Sequence, residues 1–241
     1  MDMDSSLTLA WSEGVSDLEA EVFVQAVHQT LNWLYFRRSD VFFDPPLRVQ
    51  VYGNWVIPSL VDQYPYWGTQ WYIDNTYDGE SDRVVAPEFL ELVSNEPWQK
   101  ADPHLDLALI DEDLTDMPAP LARKRADYYS LGTSYPERAA VMSVYRLRAL
   151  ESSELKTLAL TRLVRHHLGH LLAVPRFEER LHVLRRGLEM HCTNRCVMRH
   201  AETLDQLVAF ALEEGAGSWG FCERCTSDLH SAILRRTVSL N

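Results

Sequence analysis

Nine histidines and four cysteines are unevenly placed along this 241-residue chain, and their spacing is that of metal ligands. His166-His167-Leu168-Gly169-His170 lies in a segment that reads as helix. Residues four apart on a helix share one face, so the rings of His166 and His170 can reach a single ion. The plain alternative is a pair of surface or capping histidines. A catalytic zinc takes a third protein ligand and keeps a fourth position for water. His191 is the candidate third ligand because it immediately precedes the first cysteine, with His182 and His200 as alternatives. The cysteines form two close pairs, Cys192-x3-Cys196 and Cys222-x2-Cys225, and use every thiol in the chain. Four thiolates supplied in this way fit a closed tetrahedral zinc site that contributes folding energy and leaves no position for chemistry. Unligated buried thiols, or a redox pair at Cys222 and Cys225, are the competing readings.

The elements that must position these residues are α/β in pattern. Glu154 to Leu172 carries leucines at helical spacing, contains no proline, and stops before Pro175, which makes it the strongest helix in the chain. Ser16-Asp17 caps an opening amphipathic helix that runs to about Phe36. Strands are expected at Leu47–Tyr52, Leu105–Ile110 and Ala139–Tyr145, a short strand near 69–73, and a short helix near 86–95. Leu105–Ile110 is almost wholly apolar and is expected to be buried on both faces. The Tyr/Trp-rich segment 64–77 is expected to pack against the opening helix, with a substrate groove as the alternative, and Ala139–Tyr145 is either an interior strand or, if it is a sheet edge, one that could take up a peptide as an added strand. Asp111, Glu112 and Asp113 read as a solvated acidic turn or, less plainly, as a cation site. Between Arg176 and Met190 the pattern suggests an amphipathic helix, with Leu181, Leu184 and Leu188 on one side and Arg180, Arg185 and Arg186 on the other.

Composition bounds the function. The chain is 46% hydrophobic and 24% charged with a net charge of −12, which fits a globular protein and disfavours nucleic-acid binding. The first 120 residues hold 22 acids and 5 bases and the remainder 13 and 18, so the two halves attract. No apolar run is long enough for a membrane span, and the acidic start is unlike a secretory signal, so a cytoplasmic protein is expected, not membrane-bound. With no repeat or linker, 1–241 is expected to be one domain, comprising an N-terminal sheet and helix part (1–173) and a C-terminal zinc-stapled part (174–241).

Together these motifs resemble the archaemetzincins, zinc metallopeptidases of the metzincin clan, whose pattern is H-E-x-x-H-x-x-G-x-x-H-C, four residues, C-x-M, and a later C-x-x-C. His166 and His170 match the first two ligand histidines, His191-Cys192 the third with its adjacent cysteine, Cys196-Val197-Met198 the C-x-M, and Cys222 and Cys225 the final pair. The resemblance implies a zincin-like domain with a mixed sheet and an active-site helix. It also implies a three-histidine zinc site, a four-cysteine structural zinc, Met198 beneath the histidines where ordinary core packing is the alternative, and a peptide or protein as substrate or ligand. The departures are specific: His167 stands at the glutamate position, Ala173 at the glycine, and about fifteen residues separate the helix end from His191. Were His191 not returned to the metal, the third ligand position would fall to Arg176, which cannot bind zinc. That glutamate relays a proton from water to the leaving amine, which is worth about 10²–10⁴ in rate. His167 could serve as a substitute base, ligate metal itself, or merely fill the space. The implied functions are a metallopeptidase with a degenerate site and, alternatively, a silent zinc-binding relative that holds a peptide or protein partner.

Overall fold

The computed structural model describes residues 6–37, 47–54, 68–96, 99, 102–125, 127–176, 181–214 and 220–238. In chain order the elements are β1 (Ser6–Trp11), α1 (Asp17–Phe36), β2 (Arg48–Gly53), α2 (Thr69–Thr76), β3 (Tyr77–Asp78), β4 (Arg83–Val85) and α3 (Ala86–Ser94). There follow β5 (Leu105–Ile110), β6 (Leu114–Thr115), α4 (Ala119–Ala122), β7 (Gly132–Tyr135), β8 (Ala139–Ser143) and α5 (Ser153–Leu171). The C-terminal part holds the hairpin β9 (Val183–Arg186) and β10 (Glu189–Cys192), then α6 (Leu204–Glu214) and α7 (Glu223–Val238).

The main sheet has the order β2-β1-β5-β8-β7. Its first four strands are parallel and β7 runs antiparallel to β8, leaving β7 as an edge. Strand periodicity sorts the core. Leu105, Leu107 and Leu109 of β5 face the side covered by α1 and α5, whereas Ala108 and Ile110 face α2 and α3. All six residues of β5 are buried, as its apolar run requires. α1 begins where Ser16 closes a capping box with Glu19, the Ser16 N–H donating to Oε2 at 2.8 Å.

Three expectations need correction and one alternative is decided. The segment 69–73 is part of α2: Thr69, Tyr72, Ile73 and Thr76 are its buried positions, a helical spacing that the aromatic content disguised. Its Tyr72 meets Phe89 of α3 edge to face, across the sheet from α1, while Tyr64, Tyr66 and Trp67 lie outside the described residues. Of the two readings of 139–145 the interior one holds: Ala139–Ser143 is paired on both sides, and 132–135 is the edge beyond it. Finally, 183–192 is a β-hairpin where an amphipathic helix was expected. Gly187 at φ 58° starts its two-residue turn, as a type II′ turn requires, and Arg186 pairs with Glu189 across the ladder. The acidic turn is built in as well: Asp113 pairs with Arg83 at 3.1 Å and also with Arg146. Arg148 with Glu19 and Arg123 with Asp78 tie the basic half to the acidic half.

Among the described residues no helix is long and apolar enough to cross a membrane.

Candidate metal centre

α5 carries His166, His167 and His170 in its buried last turns. The helix ends in a Schellman motif: Ala173 N–H bonds the His170 carbonyl and Val174 N–H the Gly169 carbonyl, each at 2.9 Å, with Ala173 in the left-handed region at φ 56°. That conformation explains why glycine suits this position, and the chain achieves it with alanine.

The hairpin returns His191 to the helix. The ring nitrogens of His166, His170 and His191 lie within 4.8 Å of one another, and the Nε2 atoms of His166 and His170 are 3.1 Å apart. Nitrogens held about 2.0–2.1 Å from one ion would be separated by roughly 3.3 Å, so the pair is close to ligating distance. His166 Nδ1–H donates to the Val197 carbonyl at 2.7 Å, and the Val174 backbone accepts from His170, which turns both Nε2 atoms inward. Both ring nitrogens of His191 are buried without a hydrogen-bond partner. Burial holds His191 down at about 3 and His166 and His170 well below the usual imidazole range. Neutral imidazoles with inward lone pairs are the form a metal takes. His200 stands next to His191, ring centroids 4.6 Å apart, and His182 is exposed on the hairpin.

Beneath the histidines lies Met198, fully buried. A Cβ on Gly169 would come within 2.3 Å of its Sδ, so the glycine lets Met198 press on the helix backbone between His166 and His170.

His167 points elsewhere. Its Nδ1 is 2.8 Å from Ser134 Oγ, and its Nε2 lies 2.4 Å from where a Cβ on Gly132 would stand, so the ring packs against β7. Burial holds it down at about 3. Sequence reasoning missed a neighbouring carboxylate. Glu189, 10% exposed in its side chain, reaches within 3.5 Å of His191 Nε2, 3.9 Å of His167 Nδ1 and 4.0 Å of His170 Nε2. Burial pushes its carboxyl up to about 8, against hydrogen bonds from Ser134. The Glu189-x-His191 alternation on a strand was the available signal, hidden by reading the segment as helix. A cavity of about 310 Å³ opens over His166, His167 and Glu189, rimmed by Tyr129, Arg186 and His200.

The cysteines gather as a second centre. Cys192, Cys196, Cys222 and Cys225 bring their sulfurs within 4.8 Å of one another, all as free thiols. Cys192 Sγ and Cys222 Sγ are 3.8 Å apart, the edge of a tetrahedron whose centre lies about 2.3 Å from each sulfur. Mutual hydrogen bonding holds Cys192 down at about 7 and pushes Cys225 up, the redistribution expected of crowded thiols. Arg162 of α5 secures the loop between the sites, donating to the carbonyls of Arg199 at 2.9 Å and Cys196 at 3.4 Å while paired with Glu214 at 3.0 Å.

On the far face of the sheet, His104 lies 3.3 Å from Asp106 and 3.6 Å from Glu96. This cluster was also unforeseen, and its groups are satisfied by one another: Tyr72 donates to Glu96, and Gln99 donates to Asp106 at 2.5 Å.

No family model and no curated protein matches the sequence. Solved structures do match. The archaemetzincin of Methanopyrus kandleri superposes with a TM-score of 0.59 at 20% identity, over 96% of this chain and 97% of that one. That of Archaeoglobus fulgidus, solved with malonate, gives a TM-score of 0.54 at 18% identity over 92% and 99%. The fold is archaemetzincin-like, a mixed α/β arrangement with a C-terminal four-cysteine cluster.

Proposed function

We propose that this protein is a zinc metallopeptidase of the archaemetzincin type with a rebuilt active site. His166, His170 and His191 hold the reactive zinc, and the four cysteines hold a structural one. The supporting observation is the convergence of three neutral, inward-facing imidazoles, of which His166 lines a cavity beside the edge strand β7. Bound there, zinc supplies a Lewis acid that makes water nucleophilic near neutral pH and polarises a carbonyl.

The chain's own residues do the rest. β7 has no strand on its outer side among the described residues and, beyond Ser134, whose N–H is engaged by Glu189, offers that edge to an extended peptide, which adds as a further strand and is carried past the histidines. Met198 and the Val197 carbonyl fix the helix and the His166 ring, so that the imidazoles do not reorganise as substrate binds. Turnover is slow relative to peptidases that keep a helix glutamate, because position 167 carries an imidazole engaged with Ser134. The same engagement favours the second reading, in which a peptide is bound in the cleft and left uncut.

Metal analysis of the purified chain tests the proposal: two zinc ions per chain, falling to one in His166→Ala. Cleavage within a fluorogenic peptide library, abolished by a chelator and by His166→Ala, supports the peptidase. Peptide binding without cleavage supports the second reading, and a single zinc in the unaltered chain overturns both.

A further inference from the structure

We propose that Glu189 supplies, from the hairpin, the reactive carboxylate that α5 lacks. The inference rests on the histidine site being a peptidase zinc site and names the group that moves the proton there.

Placement carries it. Residues two apart on a strand share a face, so the hairpin that delivers His191 to the helix delivers Glu189 alongside it. Its oxygens stand 3.5–4.0 Å from ring nitrogens of His191, His167 and His170, beyond hydrogen-bond distance from each. Oε1 is buried without a hydrogen-bond partner. A carboxylate oxygen in that condition has a vacancy for a donor, and the cavity provides room for one. Glu189 is also outside the set of ligand atoms that lie within 4.8 Å of one another, so it stands beside the ion's position and does not belong to its ligand ring.

In this role a water proton passes to Oε1 of Glu189 as the water oxygen bonds to the peptide carbonyl carbon. The same proton then goes to the amide nitrogen as the C–N bond breaks, releasing an acid and an amine and restoring the carboxylate. His167 holds the wall behind, its ring fixed by Ser134.

The experiment compares the zinc-loaded protein with Glu189→Gln and Glu189→Asp, using metal content, calorimetric binding of acetohydroxamate as a zinc-directed probe, and peptide cleavage. With the zinc dication beside it offsetting the burial that raises its carboxyl, Glu189 is ionised and accepts the probe's O–H, a charge-assisted contact worth about 10–100-fold in affinity. Expected are two zinc ions in all three proteins and a loss of that size for Gln. Asp should recover part of it, and cleavage should fall about 100-fold or more in Gln. If both zinc ions remain and Gln binds the probe within twofold of the unaltered protein, the proposal is overturned while the zinc site stands. Loss of one zinc in Gln overturns it as well, by making Glu189 a ligand. If His166→Ala removes no zinc, it is the underlying peptidase reading that fails.

Discussion

Replacing Arg162 with methionine tests how the two centres are joined. The Arg162 and Glu214 side chains are 4% and 6% exposed, with Nε–Oε2 and Nη2–Oε1 contacts of 3.0 and 3.1 Å. Methionine keeps most of the volume but removes the closest cation from the buried Glu214 carboxylate, with Arg199, 3.9 Å away, in partial compensation, and it takes the donor from the Cys196 and Arg199 carbonyls. Breaking such a pair costs about 3–5 kcal/mol, which for a chain of this size lowers Tm by about 6–20 °C. The deficit must depend on pH. Burial already raises the Glu214 carboxyl in the intact fold against the pull of Arg162, and removing Arg162 raises it further. A carboxyl raised in the fold contributes stability that is complete below its unfolded pKa, about 4.3, and lost as pH climbs toward the folded value. The variant should therefore lose more at pH 7 than at pH 5 in urea unfolding followed by circular dichroism. Arg162→Met with Glu214→Leu should recover most of the loss. A deficit under about 1 kcal/mol at pH 7, or a double variant no more stable than the single one, refutes the reasoning.

Ala173→Gly relieves the left-handed φ of 56° at the end of α5 and should stabilise the fold by about 0.5–1 kcal/mol, visible as a Tm raised by about 1–4 °C; an unchanged or lower Tm counts against the strain. Cys225→Ser should reduce zinc by one ion per chain or more and destabilise by about 4 kcal/mol or more; full zinc content with unchanged stability would show that the thiol is not a ligand. His104 is raised to about 11 because hydrogen bonds to Asp106 and Glu96 outweigh its burial. Its contribution is complete below the unfolded value of about 6.5 and is lost as pH rises through the folded one. Stability of the unaltered chain should thus fall more steeply between pH 7 and 10 than that of His104→Gln, by up to about 1.4 kcal/mol per pH unit. Parallel profiles would remove His104 from the account.

What the sequence disclosed followed from periodicity and local chemistry. α1, α5 and β5 were legible because capping residues, leucine spacing and an unbroken apolar run each admit few readings. The gathering of four cysteines and three histidines was legible because ligand chemistry restricts residue types more tightly than packing does. β1 was overlooked, since six residues beside an acidic terminus carry little pattern although they become an interior strand of the sheet. The hairpin was misread because leucines and arginines over 180–188 satisfy a helical wheel as readily as a ladder. Gly187 decides the matter through a turn that only pairing with β10 makes worthwhile. Glu189 was lost with it, because a side chain's face on a strand cannot be assigned while the strand is taken for a helix.

If Glu189 acts as proposed, the histidine at position 167 and the hairpin that carries Glu189 belong together. β10 sends Glu189 and His191 to one face and Cys192 to the other, so one four-residue strand serves both centres. The loop that follows gives Cys196 to the sulfur cluster, the Val197 carbonyl to His166, and Met198 to the backbone of Gly169. Ligand and carboxylate both ride on the hairpin, and the hairpin is anchored at its end by the cysteine cluster. A helix glutamate would instead be held whether or not the C-terminal segment was in place. If the sulfur site holds zinc as proposed, removing that ion with a chelator should release His191 and Glu189 together, so that peptide cleavage falls in step with the loss of the first zinc; cleavage unchanged after that loss would refute the coupling.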